Sequence, residues 1–341
     1  MWIGLSKLWN LRVLSSLIGN RTSMSRTALI THAACFEHRP PAGHPESPER
    51  LRVVLEALSD AACPNLIRIE APLGQLEDIA RVHPAALIEQ IIRLEPEPGG
   101  RSRQLDPDTY LSAGSIEAAR RGVGAVIAGV DAVMKGTFER AFCATRPPGH
   151  HAEANTPMGF CIWNSAAIGA LYARETYGLK RAAVLDFDVH HGNGSQELAE
   201  RDADFFYASI HQGGIYPGSG LAEETAAGNL VNVPVPAATT GPAWRAAIES
   251  KILPALLAFK PEIVIVSAGF DGHRLDPLAG LNLEIDDYRW ITERLLDVSH
   301  GKLVSTLEGG YHLQALAACV LAHVQTLQNY KPRSGGETAG V

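Results

Sequence analysis

Short apolar runs of strand length recur along the chain, at Ala28–Ile30, Ala141–Ala144, Ala182–Leu185, Phe205–Ile210, Ile263–Val266 and Leu303–Leu307. Between them lie Ala/Leu-rich segments of helical length: Glu49–Leu58, Ser115–Met134, Ser165–Tyr177, Ala243–Ala258, Asp286–Asp297 and Leu313–Leu327. Strands that are apolar almost throughout need cover on both faces, and crossover helices supply it. The pattern predicts an α/β domain, a mostly parallel sheet with helices on both faces. No repeat, low-complexity tract or linker interrupts residues 24–330, so one domain is expected there. Residues 331–341, with Pro332, Gly335, Gly336 and Gly340, lack apolar periodicity and read as a flexible tail. Glu95–Arg103 (EPEPGGRSR) reads as an exposed loop leading to Asp106 and Asp108.

Polar residues with chemical potential gather where the apolar runs end. Asp186 and Asp188 close one run, Asp271 follows another, and Tyr311 follows a third after Gly309 and Gly310. Sheets of this kind form their sites outside the carboxyl ends of the strands. In an extended segment side chains at i and i+2 share a face, so Asp188 and His190 can bind one ion together. Asp271 can complete the set from a neighbouring strand. Three protein ligands with one open position is the pattern of a catalytic zinc, although this mixed N/O set also admits Fe(II) or Co(II). The tandem His150-His151 differs. Adjacent side chains are expected to point to different sides of the chain, which suits an acid/base pair better than two ligands of one metal. Pro147-Pro148-Gly149 stiffens the approach to them. These residues read as a metal hydrolase.

Composition sets limits around that reading. At 341 residues, with 46% hydrophobic and 20% charged positions, the chain has ample material for one large core. Its formal net charge of −7 argues against direct nucleic-acid binding and mildly favours cationic substrates. The cysteines, Cys35, Cys63, Cys143, Cys161 and Cys319, are odd in number and show no CxxC spacing. They fit reduced thiols, and a cytoplasmic location is expected. Met1–Ser23 carries Lys7, Arg12 and Arg21 and no acidic residue. Lys7 and Arg12 break the apolar run well short of the roughly 20 residues a membrane span needs. A secretory signal is not expected either, for want of a clean apolar core and cleavage site. Two readings stand: an amphipathic, transit-like segment with an organellar destination, or an extension ahead of a true start at Met24.

The motifs around these positions carry a resemblance. RPPGHHA at Arg146–Ala152, GFCIWN at Gly159–Asn164 and DFDVHHGNG at Asp186–Gly194 come first, followed by SAGFD ending at Asp271. DPLAG at Asp276–Gly280 and EGGY at Glu308–Tyr311 complete the set. Together they resemble the histone deacetylase family, on its class II side, over most of residues 27–325. That family's wider circle includes bacterial histone-deacetylase-like amidohydrolases and acetylpolyamine amidohydrolases. The resemblance implies the single-domain arginase/deacetylase-type fold, with 24–330 as the catalytic domain. It implies zinc-dependent hydrolysis of N-acetyl or other acyl amides on lysine side chains or related amines. An acylated peptide, protein or small amine is then the expected partner.

Residue by residue, the resemblance pairs His150 with Asp186 and His151 with Asn193. Asp186 should favour the charged form of His150, while Asn193 orients His151 without adding charge, leaving His151 the more available base. Class I relatives carry Asp where this chain has Asn193, a departure usual for class II. Tyr311 is expected to hydrogen-bond the developing oxyanion opposite the metal. Relatives with His at that position cleave acetyl-lysine poorly. Gly159, Phe160 and Tyr216 look like walls of a narrow acyl-lysine channel, with Gly159 leaving room for the substrate chain. Asp108 is expected to accept hydrogen bonds from a substrate backbone, unless it merely caps its turn. Leu278 matches a rim position where polyamine-selective relatives in one branch carry Glu. Ser209 and Ile210, with backbone carbonyls of Asp186, Asp188 and His190, match a monovalent-cation site, which implies potassium. Cys161 reads as a small buried hydrophobe, and His211, His273 and His312 as supporting or loop residues.

Two rivals belong to other classes. An arginase-type binuclear manganese ureohydrolase needs a second Asp two residues beyond Asp271, where this chain has His273. A non-catalytic acyl-lysine binder should have lost a ligand or the tyrosine, and this chain keeps both.

Overall fold

The computed structural model describes residues 26–331. The expectations for residues 1–23 and for the 332–341 part of the tail lie outside the described residues. Among the described residues there are ten strands: β1 (Thr27–Thr31), β2 (Ile67–Glu70), β3 (Arg103–Gln104), β4 (Tyr110–Leu111), β5 (Arg140–Cys143), β6 (Ala182–Asp186), β7 (Phe205–Gln212), β8 (Leu230–Val235), β9 (Ile263–Ala268) and β10 (Leu303–Leu307). Eight of them form one sheet in the order β2-β1-β5-β10-β9-β6-β7-β8, with every neighbouring pair parallel. β3 and β4 form a small antiparallel pair.

The sheet is covered on both sides because its strands are apolar on both sides. Val264 and Val266 of β9 join a core that includes residues of helices Pro48–Ala57, Ile285–Val298 and Leu313–Asn329. Ile263 and Ile265 of the same strand join the opposite core, under helices Ser115–Met134 and Ser165–Tyr177. The two-residue period of the strand thus feeds two separate layers.

All six apolar runs are strands of this sheet, and the segments of helical length are helices. The expected single helix over Ala243–Ala258 is modified. It runs as Gly241–Ala247, a π turn at Ile248–Ile252, and Leu253–Phe259, with Pro254 at the start of the last piece. A proline lacks the N–H of the regular ladder, and a local change of winding accommodates it. Pattern alone missed β2 and β8, and both are edge strands. In β2, Arg68 and Glu70 alternate with isoleucines, and Ile67 is 43% exposed. β8 contains Pro234, which an edge tolerates because one side has no ladder to serve.

Topology then assembles the chemistry. β5, β10, β9, β6 and β7 are consecutive in the sheet, so the loops that follow their carboxyl ends share one edge. Asp186 is in register with Ser209 on one side and Ser267 on the other, and Leu307 of β10 with Ala268 of β9. His150, Asp188, Asp271 and Tyr311 all lie just beyond these ends.

Candidate metal centre and active site

Among the described residues, Asp188, His190 and Asp271 form a buried group able to hold a metal ion, with one ligand atom from each within 4.8 Å of the others. His190 Nδ1 lies 3.1 Å from Asp188 Oδ1 and 3.2 Å from Asp271 Oδ2. Each carboxylate anchors its other oxygen on backbone. Asp188 Oδ2 accepts from the N–H of Gly309 (2.7 Å), and Asp271 Oδ1 from that of Val189 (2.8 Å). The convergence does not come from an extended Asp-x-His segment, as the spacing suggested. β6 stops at Asp186, and the chain bends so that the N–H of His190 donates to Asp188 Oδ1.

These residues fit a divalent cation. Asp271 Oδ2 is buried and, apart from the 3.2 Å approach of His190 Nδ1, has no hydrogen-bond partner among the described residues. Burial and the Asp188 charge push Asp271 up to about 7. Despite burial, Asp188 and Asp271 raise His190 to about 10. Two buried carboxylates converging on one imidazole favour a cation between them. The site also demands bare backbone beside it. A Cβ on Gly309 would lie 2.0 Å from Asp271 Oδ2 and 2.5 Å from Asp188 Oδ2.

The histidine pair departs from the expected divergence. The rings of His150 and His151 lie against each other, with centroids 3.9 Å apart. A turn closed by the N–H of Ala152 on the carbonyl of Gly149 brings both side chains to one side. Their partners differ. His150 Nδ1 is 2.9 Å from Asp186 Oδ2, and His151 Nδ1 is 2.9 Å from Asn193 Oδ1. Burial opposes charge on His150, yet Asp186 and Asp188 outweigh it and raise the ring to about 10. Burial, then the neighbouring His150 and His190, hold His151 well below its ordinary value. The surroundings thus favour the charged form of His150 and the neutral form of His151.

Aromatic groups border this cluster. Tyr216 lies edge-on to His151 (5.1 Å between centroids), and Phe160 edge-on to Tyr311 (5.8 Å). Phe160 has φ +68, a left-handed conformation uncommon for a bulky residue, and its N–H donates to Thr109 Oγ1. Gly159 also lies against the His151 ring. A Cβ there would lie 2.4 Å from His151 Cδ2, so its space belongs to the histidine ring. Asp106, not Asp108, caps its turn, accepting from the N–H groups of Asp108 and Thr109. Asp108 makes a side-chain contact with Thr109 Oγ1, and burial and Asp106 raise it to about 6. Leu278 is 37% exposed. It sits on a loop whose Asp276 accepts from the N–H groups of Leu278, Tyr311 and His312. Ser209 and Ile210 are buried on β7 beside Asp186.

The other histidines are engaged elsewhere. His211 spans Ser209 Oγ and the Gly220 carbonyl, and His312 caps its helix by accepting from the N–H of Ala315. His273 Nε2 faces Glu284 at 3.8 Å. Cys161 is buried, and burial first of all holds its thiol well above the ordinary value.

Several participants were not singled out from sequence. Arg146 makes a bidentate buried pair with Glu46, at 2.5 and 2.6 Å. Arg50 also reaches Glu46, donates to the carbonyls of Gly310 and Glu308, and stacks 4.8 Å from the Tyr311 ring centroid. His44 packs its ring on Phe160 at 4.6 Å and approaches the Asp108 carbonyl at 3.0 Å. The HPE run at His44–Glu46 was the available signal.

A family model described as the histone deacetylase domain matches residues 44–327. The chain is 36% identical over 305 residues to a histone deacetylase-like amidohydrolase of Pseudomonas aeruginosa, covering 86% of this chain and 80% of that one. It is 39% identical over 305 residues to an uncharacterized protein of Synechocystis sp., covering 88% and 99% respectively. Among solved structures, the HDA15 HD domain matches with TM-score 0.85 and 33% identity, covering 91% of each chain. The chain is a hydrolase of the arginase/deacetylase-type fold. It belongs to the histone deacetylase family.

All five cysteines are free and buried. Among the described residues, no helix is long and apolar enough to cross a membrane.

Proposed function

We propose that this hydrolase is a zinc-dependent deacylase acting on N-acyl amides of lysine side chains or related amines. The observation that carries the reading is the meeting of Asp188, His190 and Asp271 with two histidines of opposite protonation preference. When bound, zinc would supply a Lewis acid that polarises the acyl carbonyl and makes water nucleophilic at neutral pH. His151, kept neutral and oriented by Asn193, takes the proton from the attacking water. His150, kept charged by Asp186, favours the build-up of negative charge and stands beside His151 when a proton must reach the leaving amine. Tyr311 donates its hydroxyl to the developing oxyanion. Phe160 and Tyr216 flank the acyl-bearing chain, and Asp108 accepts from the substrate backbone. Ser209 and Ile210, with the carbonyls of Asp186, Asp188 and His190, would hold a potassium ion that is structural.

The decisive experiment measures metal content and turnover together on the purified chain. One zinc per chain and hydrolysis of acyl-lysine peptides or small acylated amines are expected. Silence across acetyl-lysine, longer acyl-lysine and acetylpolyamine substrates would favour a non-catalytic binder. Two manganese ions per chain would favour the ureohydrolase instead.

Acetylpolyamines are the second reading within the same chemistry, and Leu278 bears on it. An apolar rim residue offers nothing to a distal ammonium, and a net charge of −7 is spread over the whole chain. Acyl-lysine peptides or mono-amine amides should be preferred over acetylspermidine. Leu278→Glu should raise kcat/KM for acetylspermidine relative to an acetyl-lysine peptide, because a charge at a partly desolvated mouth selects cations. The counter-case is that Asp106 and Asp108, or the Glu95–Glu97 loop, line the same mouth. Wild-type kcat/KM for acetylputrescine or acetylspermidine well above that for acetyl-lysine peptides would sink the preference.

A further inference from the structure

Glu308 is a buried acid to which the chemistry above gives no role. It lies directly after β10, three residues before Tyr311, and is 1% exposed. Its Oε2 accepts from the N–H of Gly149 at 2.6 Å and from that of His150 at 3.2 Å. Its Oε1 is buried without a partner among the described residues. A carboxylate in such a place is costly unless its hydrogen bonds are needed. Its own backbone is fixed, with the N–H donating to the Ala268 carbonyl and the carbonyl accepting from Arg50 Nη2. The side chain is thus a rigid acceptor, reaching from the end of β10 to the loop that follows β5.

The Gly149–His150 segment is held from its other side as well. The carbonyl of His150 accepts from the N–H groups of Gly194 and Ser195, at the start of helix Asn193–Arg201. A Cβ on Gly149 would lie 2.8 Å from the Trp163 carbonyl, so the backbone passes through a closed gap. Asp186 orients the His150 ring, but the backbone that carries both rings has Glu308 as its acceptor on the β10 side. Without it two buried N–H groups would have no partner, and the segment would shift to find one.

We propose that Glu308 is a positioning residue: its carboxylate clamps the Gly149–His150 backbone and so fixes the histidine pair relative to Tyr311. It acts through hydrogen-bond acceptance by one oxygen, not through its charge. The inference rests on the deacylase reading of the histidines and tyrosine.

Two substitutions of similar volume test it. Glu308→Met removes the acceptor, whereas Glu308→Gln keeps an oxygen where Oε2 stands. The Met variant should lose on the order of 10²-fold in kcat, the scale of a misplaced catalytic group, with KM and metal content unchanged. Amide hydrogen exchange across residues 149–152 should quicken in the same variant. The Gln variant should keep near-wild-type kcat and exchange. A folded, metal-loaded Gln variant as slow as the Met variant would overturn the proposal, because charge would then be the cause. A Met variant with wild-type kcat and exchange would overturn it too. Should the Met variant not fold, the Gln variant decides alone, with retained kcat and protected exchange supporting the clamp and their loss refuting it. A wild-type chain inactive on every acylated amine would defeat the deacylase reading, while the exchange measurements would still judge the clamp.

Discussion

Asp271→Ala is expected to leave the chain without stoichiometric metal and without measurable turnover, and Asp188→Ala to do the same. Each removes one of three converging ligand atoms, and the backbone of Gly309 lies against both carboxylates. A second readout separates loss of metal from loss of fold. A ligand that binds only the folded state raises its melting temperature, so added zinc should raise the Tm of the wild type. The same addition should leave the Asp271 variant unmoved. Elemental analysis after dialysis checks the first half, and a thermal melt with and without zinc the second. Stoichiometric zinc retained by Asp271→Ala would mean that the third ligand lies elsewhere.

The sheet was legible because its inner strands are apolar on both faces, and runs such as Ile263–Val266 have few other uses. The edges were not. Arg68 and Glu70 in β2, and Pro234 in β8, obey the looser demands of a strand with one neighbour. A similar division runs through the site. Asp188, His190, Asp271 and Tyr311 could be picked out because strand ends mark where chemistry collects in such a sheet. The posture of His150 and His151 could not be read from adjacency, since a turn overrides the alternation expected of an extended chain. Gly159 was read as leaving room for a substrate chain, and the nearness of the His151 ring to it comes from a contact absent from local sequence.

The supporting acids were hidden for the same reason. Asp276 in Asp276-Pro277 looks like any turn residue until the N–H groups of Tyr311 and His312 arrive on it. Glu46 looks like a helix-flanking acid, yet it neutralises Arg146 from the loop before the histidines and touches Arg50, which reaches the loop of the tyrosine. Arg146 and His38 hold the Glu46 carboxyl well below its usual range although burial opposes this. The Asp276 contacts span 35 and 36 positions, Glu46–Arg146 spans 100 and Arg50–Gly310 spans 260, and no local period encodes them.

The same long-range contacts make Tyr311→Phe a clean test of the hydroxyl. The ring does not depend on its oxygen for position. Arg50 stacks on one part of it, Phe160 meets it edge-on, and Asp276 holds the backbone N–H at 2.7 Å. Gly310, at φ +120, supplies the turn that directs the ring, and a phenylalanine at 311 leaves that turn untouched. Folding, metal content and substrate affinity should therefore survive, while the donor we propose for the developing oxyanion is lost. Removing one such donor costs on the order of 10²–10³ in kcat. The loss should fall on kcat and leave KM nearly unchanged, since the hydroxyl matters more to the transition state than to the bound amide. Steady-state kinetics on one acyl-lysine substrate, with zinc content measured on the same preparation, would check it. A change confined to KM would show that Tyr311 lines the channel and takes no part in the chemistry.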